Sequence, residues 1–197
     1  MKKTILLGVA AISIALVSWT SIEMSKDSST TYKLNNEATK LTWTGKYVSD
    51  GHTHTGTVNV SKGELVVLAN NSVTGTFTID MNSIVCSDLP EAKKGYLVGH
   101  LTGEDFFNSK KYNEVLVKVN GMTENEIQAT LTIMGKEISA KMPVKFNKTA
   151  NSLEAKGTFE IDFSSLEMPG TKASKGKPEN ERTDAKIAFD LNLAMKS

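Results

Sequence analysis

The sequence predicts an all-β, antiparallel fold with one short helical insert, on three observations. Apolar and polar residues alternate along most of the chain, most clearly where Ile187, Phe189, Leu191, Leu193 and Met195 interleave with Ala188, Asp190, Asn192 and Ala194. Successive side chains of a strand project to opposite faces, so each such run buries one face and wets the other. Turn-forming residues separate the runs, and the only helix-like spacing lies within residues 88–107. Many half-buried strands must close their sheet into a barrel or stack two sheets to hide the apolar faces.

The chain begins with Lys2 and Lys3, an apolar run from Ile5 to Val17, and small or polar residues from Ser18 to Ser21. A charged start, a short apolar middle and a small-residue exit describe a secretory signal over 1–21, too short for a comfortable membrane span. Trp19 interrupts the exit, so the cleavage point is open and an uncleaved anchor is the alternative. Residues 22–31 are rich in Ser and Thr, which suits a flexible tether. Residues 32–197 then form one barrel domain, a length sufficient for a full core.

Strands are expected at Tyr32–Leu34, Leu41–Tyr47, Thr55–Val60, Glu64–Ala69 and Ser72–Asp80. The pattern then breaks. Asp88, Pro90 and Glu91 signal a helix start, with Glu91 in capping-box position after Asp88, and Leu97, Leu101, Phe106 and Phe107 are spaced as on a short helix. Strands resume at Glu114–Val119, Glu126–Ile133, Glu137–Phe146, Leu153–Phe163 and Asp184–Met195. Asn70-Asn71, Asn120-Gly121, Gly135-Lys136 and the 147–151 stretch stand where hairpin turns are needed, so up-and-down order is the simplest topology. The 167–183 connection is long, polar and carries Pro169, Gly170, Gly176 and Pro178; it reads as a lid over a barrel mouth or as a solvated crossover loop.

The net charge is +1, from 23 basic and 22 acidic residues; loss of Lys2 and Lys3 with the signal leaves 21 against 22, or −1. A near-neutral surface gives no field for a polyanion, and no nucleic acid is expected as a partner. The single cysteine, Cys86, has no internal disulfide partner and reads as a small buried hydrophobe. His52 and His54 share one side of an extended segment, and with His100 they could hold zinc if folding gathered them. No Gly-x-Ser-x-Gly motif or phosphate-cradling glycine loop occurs, and Asp80, Asp105, Glu160 and Asp162 each have an ordinary place at a strand end or on a wet face. No catalytic residue, metal site or cofactor is expected.

One combination is not explained by periodicity. Residues 75–84 (GTFTIDMNSI), Gly99-His100-Leu101, Asp105-Phe106-Phe107 and Lys111-Tyr112 closely resemble the YceI family of bacterial lipid- and polyisoprenoid-binding proteins. Tyr32-Lys33-Leu34, Trp43-Thr44-Gly45, Gly51 through Gly56, Gly63-Glu64-Leu65, Leu131 through Gly135 and the last strand extend the resemblance over residues 32–195. Family members often carry an Arg and an aromatic residue where this chain has Asp162-Phe163-Ser164-Ser165, which leaves the head group of the ligand open.

The resemblance implies an extended, lipocalin-like antiparallel β-barrel that holds an isoprenoid or other long-chain lipid, exported to the periplasm or beyond and acting without a reaction. It further implies transient membrane contact for ligand exchange and a homodimer, for which no unpaired apolar stripe in the chain gives independent support. The side chains expected against the lipid are Val58, Val60, Phe77, Ile79, Leu101, Phe106, Leu131, Ile133, Phe159 and Ile161. Gly75, Ala129, Ala140, Ala155 and Gly157 are expected to leave it room, Met134, Met142 and Met168 to adapt to it, and His52, His54, His100 and the Lys172–Lys177 loop to meet its head group. The alternatives are a metal-assisted hydrolase using the three histidines and a secreted stress-response protein whose barrel is filled by its own side chains.

Overall fold

The structure, a computed structural model, describes residues 29–171, 178 and 182–197. The expected signal, most of the expected tether and the Lys172–Lys177 stretch lie outside the described residues. Ten strands form one antiparallel sheet: β1 (Thr30–Leu34), β2 (Lys40–Lys46), β3 (Thr53–Val67), β4 (Val73–Cys86), β5 (Glu114–Met122), β6 (Glu126–Ile133), β7 (Lys136–Pro143), β8 (Lys145–Lys148), β9 (Ser152–Asp162) and β10 (Lys186–Lys196). A single α-helix among the described residues, α1 (Glu91–Thr102), stands between β4 and β5.

Two interrupted strands close this sheet into a barrel. β1 and β2 occupy one lane between β3 and β10: Tyr32 is opposite Leu65, and farther along the same lane Leu41 is opposite Val58. Side chains repair the gap, because Asn36 Nδ2 donates to the carbonyls of Val60 and Ser61 while the Thr39 hydroxyl bonds both the carbonyl and the N–H of Ala194. β7 and β8 form the second composite lane. The expected Glu137–Phe146 strand divides at Val144, whose N–H turns away to the Asn125 carbonyl at 2.9 Å. β7 pairs with β6 and β8 with β9, so one stretch of chain joins the two ends of the sheet. Eight lanes result, the size at which an interior is just filled by side chains or holds one small ligand.

The two strands expected at Thr55–Val60 and Glu64–Ala69 are one, β3, with register shifts after Thr57 and Val60 that absorb the polar Ser61-Lys62 step. Gly63 lies against the Phe77 ring, where a Cβ would collide, so the strand passes through only because the residue is glycine. β4 likewise runs past its expected end at Asp80 to Cys86. One β3 residue, Val58, between Thr57 and Asn59 stands opposite the four residues 81–84 between Asp80 and Val85, a bulge held by the Asn59 N–H donating to the Ser83 hydroxyl at 2.8 Å. The bulge changes parity, which puts both Met81 and Ile84 on the buried side.

Local turn chemistry also departs from expectation. Asn120-Gly121 is a bulge within β5, not a turn; Asn120 Nδ2 donates to the Thr130 hydroxyl, and the hairpin turn falls at 123–125. The β6–β7 turn is Met134-Gly135, with φ of 51° and 77°, one residue before the expected pair. Asp88 does not cap α1, whose N-cap is Pro90 without a side-chain bond. Its carboxylate instead accepts from the Thr55 N–H and the Cys86 thiol and pairs with His54. The helix buries Leu97, with Val98 and Leu101 packed against the core. No helix among the described residues is long and apolar enough to cross a membrane.

Candidate ligand cavity

The inward faces of β2 through β7, β9 and β10, with Leu101 of α1 and Phe106 and Phe107 after it, enclose a cavity. Its volume is about 160 Å³ as the side chains stand, within a wall-to-wall space of about 1330 Å³ that includes open solvent at its mouth. The wall is apolar except for the Trp43 indole and, among the described residues, Thr171, Thr183 and Asp184. Alternation explains this purity: on each strand every second residue faces inward, and those that line the cavity are Val, Ile, Leu, Met or Phe, apart from Trp43 and Gly45 on β2.

All ten side chains expected at the ligand, from Val58 to Ile161, are in this wall. The room is not made as expected. None of Gly75, Ala129, Ala140, Ala155 and Gly157 lines the cavity; a Cβ on Gly75 would strike the Glu64 carbonyl and Leu65, and one on Gly157 the Pro143 carbonyl, so these positions serve close packing. The barrel is filled where β1 meets β3 and β10, by the fully buried Tyr32, Leu65, Leu153 and Met195. The interior is therefore packed in one part and hollow in another.

Sequence reasoning missed several wall residues. Met81 lies one residue past the expected end of its strand, Ile84 is turned inward by the β4 bulge, and Thr171, Thr183 and Asp184 come from a connection without periodicity. Trp43 and Phe189 were legible in their strands as inward-facing positions. Phe189 stacks on Phe159 at 5.9 Å and meets Phe163 edge-on at 6.3 Å, and Phe163 meets Phe107 at 6.1 Å, an aromatic belt joining β9 and β10 to the insert. Met142 and Met168 line the cavity, whereas Met134 sits in its turn.

The described ends of the 167–183 connection are fastened beside the polar part of the wall. The Gly170 N–H donates to the Asp105 carbonyl at 2.7 Å, the Thr183 N–H to the Gly170 carbonyl at 2.9 Å and the Asp184 N–H to the Lys46 carbonyl at 2.7 Å. Gly170 rests on the Phe106 ring, where any Cβ would collide.

None of the histidines is in the wall; the rings of His52 and His54 meet edge-on at 5.3 Å beside Tyr47, and each of the three histidines has its own carboxylate partner. His52 Nδ1 lies 2.6 Å from Asp50, His54 Nδ1 3.0 Å from Asp88 and His100 Nδ1 3.4 Å from Asp105. Among the described residues no group of three or more His, Cys, Asp and Glu is arranged to hold a metal ion. The His52 backbone N–H and then its ring hold the Asp50 carboxyl below its ordinary value. For Asp88, desolvation pushes the carboxyl up, but bonds from His54, Cys86 and Thr55 together outweigh it and hold it down.

The fold has solved counterparts. BcnA of Burkholderia cenocepacia superposes with a TM-score of 0.58 at 16% identity, over 82% of this chain and 98% of that one. A polyisoprenoid-binding domain from Saccharophagus degradans, implicated in plant cell wall breakdown, superposes with a TM-score of 0.58 at 15% identity, over 84% of this chain and 98% of that one. No curated protein gives a significant match. The YceI-like domain model matches residues 32–194, from β1 almost to the end of β10 and so across every strand that builds the cavity, and by that match this chain belongs to the YceI-like domain family.

Proposed function

We propose that the protein is a non-catalytic carrier of a long apolar lipid, an isoprenoid or fatty-acyl chain, held in the barrel interior. The observation that carries this reading is the cavity wall: an enclosed surface of strand side chains that is almost wholly hydrocarbon. Such a surface favours any molecule whose transfer removes methylenes from water, at roughly 0.8 kcal/mol each before costs. At ~0.3 kcal/mol per heavy atom, a ligand of about 30 heavy atoms gains on the order of 9 kcal/mol, enough for submicromolar binding. The binding named for the Saccharophagus degradans domain agrees with this reading.

The ten wall residues from Val58 to Ile161 are the proposed lipid contacts, and the polar mouth at Thr171, Thr183 and Asp184 is the proposed route of exchange, through transient contact with a membrane. The charged and apolar runs at the N-terminus support export to the periplasm or beyond. Organic extraction of the purified protein followed by mass spectrometry tests the proposal. A stoichiometric long-chain lipid in the extract is the expected result; an extract without lipid from protein that also fails to take up added prenyl or acyl chains sinks it.

A further inference from the structure

Trp43 lines the cavity from the middle of β2, only 8% exposed, and its indole N–H is buried without a hydrogen-bond partner among the described residues. A buried donor left unpaired costs about 1–3 kcal/mol, and folded proteins keep few of them. Its surroundings explain why no protein group answers it. Opposite Trp43 in the ladder stand Phe189 on β10 and Gly56 on β3, and the inward residues on its own strand are Leu41 and Gly45; none has a side-chain acceptor. The ring lies over Gly56, where a Cβ would come within 2.6 Å of Cζ2 and 2.8 Å of Cε2.

The position of the indole is equally informative. Gly45, the next inward residue toward the proposed mouth, has the Thr183 methyl 3.9 Å from where its Cβ would stand, so Trp43 lies about 7 Å, two strand residues, from the polar part of the wall. Among the described wall residues there is no Lys or Arg, and the only charged side chain is the carboxylate of Asp184. A charged group at the depth of Trp43 would be taken out of water against a wall whose described residues are almost wholly apolar, a cost that an uncharged acceptor largely escapes.

Resting on the lipid-carrier reading, we propose that the ligand bears an uncharged acceptor, a ketone, ester or amide carbonyl near its mouth-side end, and that this oxygen takes the Trp43 indole N–H. Packed side chains cover the nitrogen, so an inserted chain parts them and the carbonyl then recovers the hydrogen bond that the donor lacks. Among lipids of equal length, one that carries this carbonyl oxygen is thereby selected over the plain hydrocarbon.

The test uses the full chain with Trp19→Phe, which leaves Trp43 as the one indole of the two tryptophans. The probes are 2-heptadecanone and heptadecane, competed against a fluorescent long-chain lipid, with the ¹⁵N–¹H indole resonance followed in parallel. The ketone is expected to bind on the order of fivefold tighter than the alkane and to move the indole proton downfield, with the alkane causing no such shift. Trp43→Phe is expected to bring the ratio to about one; should that variant fail to fold, the indole resonance decides alone. Equal affinities with no ketone-specific shift overturn the proposal while leaving the carrier reading intact. Failure of both probes to bind overturns both.

Discussion

At Met134 and Gly135 the backbone turns left-handed, with φ of 51° and 77°, and this pair alone connects β6 to β7. A Cβ on Gly135 would meet no atom within 4 Å, so Gly135→Ala isolates the conformational cost from any collision. The left-handed region costs an L-residue roughly 1–2 kcal/mol, and urea denaturation should show a loss of about that size. Lipid content should be unchanged, since Gly135 is outside the cavity wall. At this scale the wall itself was largely readable: period-two alternation places Phe77, Ile79, Leu131, Ile133, Phe159 and Ile161 inward without knowledge of any partner strand. Ile84 was not readable, because an inserted bulge shifts parity through non-local pairing that no local pattern encodes, whereas Met81 continues the alternation of Phe77 and Ile79 one residue past the expected strand end.

Elements are joined by a few exposed or half-buried groups, of which Asp88 is the clearest. Its carboxylate ties the start of β3, through Thr55 and His54, to the end of β4 and the approach to α1. Its folded pKa lies below the ordinary carboxylate value of about 3.9, so in the window between the two the unfolded chain binds more protons and stability rises with pH. The contribution is full above the unfolded value and is lost as pH falls through the folded one. Asp88→Asn should therefore lower stability at pH 7 by about 1 kcal/mol, with the difference from the unsubstituted protein shrinking as pH falls below about 4. Urea midpoints at pH 7 and pH 3 check this, and a gap of constant size would contradict it. The barrel seam offers a second element-scale test: Gly157→Ala pushes a methyl against the Pro143 carbonyl and Val144 where β8 takes over from β7, and should cost about 2 kcal/mol by urea denaturation. Most strands and the helix were legible from local pattern, but neither composite lane was. Residues 35–39 and Val144 interrupt strands only because neighbouring lanes supply other partners, and that is information of the closed sheet.

On the scale of the whole molecule, one barrel has two interiors: a region filled by Tyr32, Leu65, Leu153 and Met195, and a hollow one whose wall carries Leu193, two positions along β10 from Met195. If the hollow part holds a hydrocarbon chain, affinity must depend on chain length in two regimes. Each added methylene that still finds cavity wall contributes up to roughly 0.8 kcal/mol, or about fourfold in affinity, less the cost of fixing another torsion. Once the tail reaches the filled region further methylenes have nowhere to go, and affinity should level off. Competition binding with a series of methyl ketones of increasing length measures both the slope and the break. Leu153→Ala lies at that boundary, opposite Met195, and removes a fully buried side chain. It should cost about 2–5 kcal/mol in stability and, by extending the void, move the break to longer chains. A surface patch that merely adsorbs lipid predicts neither effect, because its affinity has no length at which the protein ends the gain. A break that moves with Leu153→Ala therefore locates the chain inside the barrel, and a featureless series in both proteins would place it outside.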